Sequence, residues 1–471
     1  SLLDTLLGIK KGEVYDQSRL ESKLFMSENG FDISSLYMDD GYLFFNVNPV
    51  EVLVEGDSID LEMRIYEGKQ ATVNRVTIVG NDKTSDFVAL RVIRTRPGDK
   101  FSRSDIQRSM RELATLGFFD PEGLDVNPQP NPQNGTVDIE YVVEERPSDQ
   151  IELSGGWGGN RVVGSLGVSF NNFSARNFFK KGAWQPLPAG DGQKLSLRAQ
   201  SNGRFFQSYN ASFTEPWLGG RKPNSLSVSV FHSVQSNGEE KRIKIDGVDS
   251  KNPNRQAIYI TGASIGLGRR LEVPDDFFTL YNEASYQYYT LDNYNTSFVF
   301  SNGFANNLSF KTVLSRNSID APIYPRSGSQ TSFSLQFTPP YSLFSDDRDF
   351  ANETTQDLYK YIEYHKWKFN TSWFTSIFGD LVFNAKMGFG FLGIYNRELG
   401  QSPFERFYLG GDGLSGFALD GREIIALRGY GNGDLSPNIG ASAVSKYTME
   451  LRYPVSLNPQ ATIYGLAFAE A

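Results

Sequence analysis

Residues 366–373 read KWKFNTSW, and the alternation in that stretch decides the fold. Trp367, Phe369 and Trp373 fall on one face of an extended chain. Lys366, Lys368, Asn370 and Ser372 fall on the other, the period of two that a β-strand imposes. The pattern recurs. Leu195, Leu197 and Ala199 alternate with Lys194, Ser196, Arg198 and Gln200, and Leu226, Val228 and Val230 alternate with Ser225, Ser227 and Ser229. Phe333, Leu335 and Phe337 alternate with Ser332, Ser334 and Gln336. In a soluble sandwich the apolar face would be the core. In a membrane barrel the assignment reverses, with apolar side chains toward lipid and polar ones toward the lumen.

Length chooses between the two. About 13 such strands, each of roughly 9–13 residues, run from Asp149 to Ala471 with short and long connections alternating. Strands that cross a bilayer need about 9–11 residues, whereas globular strands average about 5–6. The reading is a transmembrane antiparallel β-barrel over residues 147–471. Bacterial barrels carry even strand numbers, so an odd count predicts missing strands, and Ala471 stops in mid-pattern.

Bulk properties agree. The 471 residues exceed one ordinary domain, and 14% aromatics with 45 Gly favour strands and tight turns over helices. Mean hydropathy is −0.39 and no run of about 18 apolar residues exists, so helical spans are excluded while barrel strands are not. A net charge of −9 argues against a nucleic-acid surface. Without Cys there is neither a disulfide framework nor a thiolate site. No signal peptide precedes Ser1, so the chain is expected to be a piece of something longer.

Upstream of Pro147 the periodicity is helical in part. Residues 1–69 read helix, helix, strand, strand, with Leu20, Leu24 and Phe25 as a stripe. Leu43, Phe45 and Val47 alternate with their neighbours, as do Ile59, Leu61, Met63 and Ile65. Residues 70–146 supply a complete version of the unit. A strand holds Val76 and Ile78, a helix covers Thr84–Ile93, and a second helix opens at Ser102 with Asp105 three residues on, a capping pattern. Strands around Leu124–Val126 and Val137–Val143 close it. The order βααββ therefore repeats, first in a partial α+β module and then in a whole one.

Residues 404–430, FERFYLGGDGLSGFALDGREIIALRGY, lie in a large connection at 395–443. Its glycines, including Gly410 and Gly411, and its closing Arg428-Gly429-Tyr430 point to a loop folded back on the protein. The LGG…LRGY combination resembles the hairpin-loop signature of the BamA-like outer-membrane assembly proteins, whose loop Arg points into the lumen. Asp412–Leu427 make this loop longer than is usual there. VNRVTIVGNDKTSD…RPGDKFSRSDIQRSMRELATLGFF resembles a POTRA module of that family, and GYLFFNVNP with IDLEMRIYEG the end of a preceding one. NFF…G from Asn177 and FTEPW from Phe213 resemble two of its barrel turns.

The resemblance implies about 16 strands in all, so about three are expected beyond Ala471. It implies an inward loop whose Arg428 meets acids on the two following strands, at Glu450 and Glu470. A guanidinium held away from bulk water needs such carboxylates. It further implies a loosely zipped first barrel strand. Ile151–Gly159, with Ile151, Leu153, Gly155, Gly156, Gly158 and Gly159, has little side chain to pack and fits a lateral seam that templates an incoming strand.

Catalysis finds no support. His232 and His365 stand alone in separate strands, and acid pairs such as Asp275-Asp276 and Asp346-Asp347 read as solvated turns. No nucleotide-binding motif, metal set or cofactor box is present. The expected function is insertion and folding of barrel proteins, not an enzymatic one. Its partners would be unfolded outer-membrane clients, accessory lipoproteins and the lipid bilayer. A two-partner-type secretion pore for a soluble polypeptide is the second reading and a passive porin or receptor the third; two POTRA-like units argue against the last.

Overall fold

The computed structural model describes residues 2–25, 32–158, 161–184, 186–220, 222–245, 248–275, 277–294, 300–321, 323–344, 349–350, 352–411, 422–431, 433–458 and 461–471. Two compact units divide the chain: Ser1–Asp149 with Phe170–Gln193, and Gln150–Ser169 with Lys194–Ala471.

The first unit begins with helices α1 (Leu2–Leu7), α2 (Gln17–Leu24) and α3 (Ile33–Asp39), then hairpin β1 (Asn46–Glu55) and β2 (Ser58–Tyr66). Three short helices stand where periodicity predicts two. Asp16 and Asp32 start α2 and α3 by accepting the N–H of Arg19 and Ser35, and α2 buries Leu20 and Leu24 of the expected stripe. Leu43 and Phe45 precede β1; Phe45 and Val47 join Leu20, Leu24 and Ile33 in the core.

Next come β3 (Thr72–Val79), α4 (Asp86–Leu90), α5 (Arg103–Thr115), β4 (Asp125–Asn131) and β5 (Thr136–Val142). The order β3-β5-β4 makes β5 central, parallel to β3 and antiparallel to β4. Ser102 caps α5 by accepting the Asp105 N–H at 3.2 Å, and Ile106 and Leu113 of α5 are buried, as are Val137, Ile139 and Tyr141 of β5. Residues 170–193 pack in this unit. Ser85 N–H donates to the Gly190 carbonyl (2.9 Å), and Asn172 Nδ2 donates to Thr84 Oγ1 (2.8 Å).

Among the described residues the second unit is built on an antiparallel sheet of 13 strands. They are β6 (Gln150–Gly158), β7 (Arg161–Phe173), β8 (Gln193–Asn202), β9 (Phe206–Glu215) and β10 (Asn224–Ser236). After a hairpin, β11 (Arg242–Ile245) and β12 (Val248–Lys251), follow β13 (Ala257–Arg270), β14 (Phe278–Asp292), β15 (Gly303–Asn317) and β16 (Gly328–Phe337). Then come β17 (His365–Phe378), β18 (Leu381–Gly393), two short strands β19 (Phe407–Leu409) and β20 (Glu423–Ile425), β21 (Ala443–Asn458) and β22 (Ala461–Glu470). Apart from β11–β12 and β19–β20, each strand pairs with its sequence neighbour, from β6 at one end of the order to β22 at the other.

The burial pattern is inverted relative to a soluble sheet. On β21, Tyr447, Met449, Leu451 and Tyr453 are exposed while Thr448, Glu450 and Arg452 between them are buried. Met449 is 59% exposed and Glu450 2%. Only a sheet whose outer face meets hydrocarbon has reason to bury its charges and display its apolar side chains. The apolar core lies on the inner face, where Ile260 and Tyr289 meet Ile362, Leu392, Phe404 and Phe407 from or beside the long connections.

Candidate functional site

The connection between β18 and β21 lies against the inner face of the sheet. Its two arms meet in a parallel pair, Phe407↔Glu423 to Leu409↔Ile425. Gly410 N–H donates to the Ile425 carbonyl and Gly411 N–H to that of Tyr430, both at 2.9 Å. Gly410 is at φ 124, and a Cβ there would lie 2.2 Å from the Gly431 carbonyl oxygen, so only glycine lets the arms close. Residues 412–421, most of the expected insertion, lie outside the described residues.

Charge fixes this loop to the wall. Lys366 on β17, with its side chain 3% exposed, reaches Glu405 at 2.9 Å and Glu423 at 2.6 Å. Lys368, two residues on along the same face, takes the second oxygen of Glu423 at 2.7 Å. Lys446 Nζ donates to the Ala426 carbonyl at 2.5 Å and lies 3.3 Å from Glu470. Burial works against the Glu423 charge, but Lys366 and Lys368 beside it hold its carboxyl below the usual glutamate range. Between loop and wall lies a cavity of about 480 Å³ lined by Lys368, Lys386, Lys446, Asn370, Phe407 and Ile425.

The anchor implied by the family resemblance comes together only in part. Arg428 N–H donates to Glu470 at 3.2 Å, and its guanidinium lies 4.0 Å from the Phe468 ring centre. Arg428, Gly429 and Tyr430 are all exposed. Glu450 is not a partner of Arg428. Its carboxylate accepts from Lys386 (2.9 Å), Asn384 (2.9 Å) and Arg452 (2.6 Å), two cations and an amide of its own wall that sit closer than the loop does. Sequence reasoning missed Lys366, Lys368, Glu405 and Glu423. The lysines were visible on the polar face of 366–373, but no periodicity tells which loop carboxylates lie opposite.

Strand β6 pairs with β7 from Gln150↔Ser169 to Gly158↔Arg161 and, among the described residues, stands at one end of the strand order. Ile151 is 75% and Leu153 81% exposed, and a Cβ on Gly156 would meet nothing within 4 Å. Gly155 lies opposite Gly164; Gly159 lies outside the described residues. The histidines are satisfied: His232 Nδ1 is 2.8 Å from Thr261 Oγ1, and His365 Nδ1 accepts from Trp367 Nε1 at 2.8 Å. Asp275 pairs with Arg316 at 3.0 Å, while Asp276, Asp346 and Asp347 are not among the described residues. Among the described residues no acid or histidine group is arranged to hold a metal ion.

Residues 189–471 match the Omp85 superfamily domain, and residues 71–146 match POTRA, the surface antigen variable number repeat. The chain belongs to the Omp85 superfamily. This Omp85 chain is 24% identical over 485 residues to the outer membrane protein assembly factor BamA of Neisseria meningitidis, covering 96% of itself and 52% of that protein. It is 30% identical over 220 residues to BamA of Nitratidesulfovibrio vulgaris, covering 46% of itself and 26% of the relative. The chain thus spans about half the length of the first relative and about a quarter of the second. Its fold resembles the crystal structure of Haemophilus ducreyi BamA lacking POTRA domains 1–3, with TM-score 0.64 and 20% identity over 99% of this chain and 84% of that one. CdiB from Escherichia coli follows at TM-score 0.50 and 13% identity, covering 99% and 76%. The fold class is that of an outer-membrane antiparallel β-barrel protein with α+β POTRA modules.

Proposed function

We propose that this protein inserts and folds other β-barrel proteins in the outer membrane. It is an outer-membrane protein with its POTRA modules, over residues 1–69 and 70–146, in the periplasm. The observation that carries the reading is the likeness to the Neisseria assembly factor, one alignment over 96% of the chain. The modules hold unfolded clients and accessory lipoproteins, and β6 offers its backbone as a strand template. No side-chain chemistry is required. The driving force is the client's own burial of apolar surface in lipid.

A two-partner-type secretion pore is the second reading, because the same fold can pass a soluble polypeptide. One experiment separates them. The full-length protein in liposomes is given a urea-denatured eight-stranded barrel client, and heat-modifiable client is followed over time. Accelerated folding supports assembly. Folding no faster than in empty liposomes, together with protected uptake of a soluble chain, would overturn it in favour of the pore.

A further inference from the structure

Lys366 joins three elements through one side chain. Glu405 comes from one arm of the loop, Glu423 from the other, and the lysine itself from β17. The Phe407 ring lies 4.8 Å from its ammonium. The arms themselves share three residue pairs of parallel strand and a few backbone hydrogen bonds around Gly410 and Gly411, which tie them to each other and not to β17. Glu405 is also held at φ 66, a conformation that side chains rarely adopt and that needs its surroundings to hold it. Arg428 is different. It is exposed and holds the wall by one N–H and one ring face.

We propose that Lys366 is the positioning residue of the loop: one buried cation fixes both arms to the inner face, and the tip around Arg428 moves about that point. The relevance of loop position rests on the assembly reading above. A buried ammonium shared by two carboxylates is the strong kind of contact, because removing one partner strands a charge. A cation stacked on a half-exposed ring is the weak kind. The loop therefore has a fixed root and a releasable tip.

The test uses the full-length protein with any cysteine outside these 471 residues replaced, since the 471 contain none, and carries a nitroxide at Leu435→Cys, an exposed position beside the arms. In Lys366→Met the nitroxide should become mobile, with the undocked fraction raised at least about tenfold. Lys366→Arg should restore the immobile spectrum, and Glu405→Gln and Glu423→Gln should each fall between. Folded Lys366→Met with the wild-type spectrum overturns the proposal, as does Lys366→Arg as mobile as Met. Should Lys366→Met not fold, Glu423→Gln decides, and an unchanged spectrum there overturns it equally. Assembly is measured in parallel. Wild-type protein that fails to fold clients refutes the assembly reading while leaving the spectral result standing.

Discussion

Phe407 lies over Gly390 so closely that a Cβ on the glycine would stand 2.6 Å from the ring's Cζ. The loop thus reaches backbone contact with β18, and the missing side chain makes the space. Gly390→Val should push Phe407 off the wall while leaving the exposed outer face of β18 untouched. The cost is that of displacing a fully buried aromatic, about 3 kcal/mol. Thermal unfolding should show a folded sheet, with proteolysis cutting the loop faster. Unchanged loop protection would mean that Phe407 is not an anchor.

Arg428 should matter less than Lys366. Arg428→Ala keeps the backbone N–H on Glu470 and loses the stacking on Phe468, worth about 0.5–1 kcal/mol at an exposed site. Arg428→Glu should be worse because it faces Glu470, and Glu470→Arg in the same chain should restore part of the loss. Glu450→Arg should not rescue, since it strips Lys386 and Arg452 of their carboxylate. Mobility of a nitroxide at Tyr430→Cys reads all four variants. Rescue by Glu450→Arg would contradict the wiring described.

The strands were legible because period two, sustained for bilayer length, has one physical meaning. The alternation of Met449, Leu451 and Tyr453 with Thr448, Glu450 and Arg452 appears unchanged as exposure and burial. The capping pattern at Ser102 was legible for the same reason, as a local rule with local geometry. The loop contacts were not. A lumen is polar throughout, so Glu450 had several cations to choose from, and alternation ranks none of them. Proximity chose Lys386 and Arg452.

The proposed strand template at β6 predicts a kinetic effect without a stability effect. Gly156 has open space for a side chain, and β6 has one strand neighbour among the described residues. Gly155→Val with Gly156→Val raises strand propensity. The barrel should melt at the same temperature or higher, and client insertion should slow. Insertion at the wild-type rate, with melting unchanged, would remove β6 from the mechanism.

The complete module presents two sheet edges, and neither is β5. That strand is central, paired on both sides. On β4, Pro128 and Pro130 lack N–H groups. On β3, Val73 is already bonded to residues 98 and 99, while the Val79 carbonyl accepts from Val143 and so turns the Val76 and Ile78 N–H groups outward. An extended client or accessory segment should therefore add at Val76–Ile78. Ile78→Pro should leave the module folded and weaken retention of the partner. Pro128→Val with Pro130→Val should open a second edge and strengthen it. Retention indifferent to both would place the partner elsewhere.

Acid should release the loop late. Glu423 is held below the usual carboxylate range by Lys366 and Lys368, against the opposing effect of burial. A depressed folded value means that its contribution is fully present above the unfolded value of about 4.3 and is lost as pH falls through the lower folded one. From neutral pH to about 4.3 the nitroxide at Leu435→Cys should stay immobile, and mobility should rise only below that. Glu423→Gln removes the carboxylate that titrates. Its loop should be more mobile at neutral pH, and the further change on acidification should shrink. Release of the wild-type loop between pH 7 and about 5, where this carboxylate is ionised in both states, would show that another group governs docking.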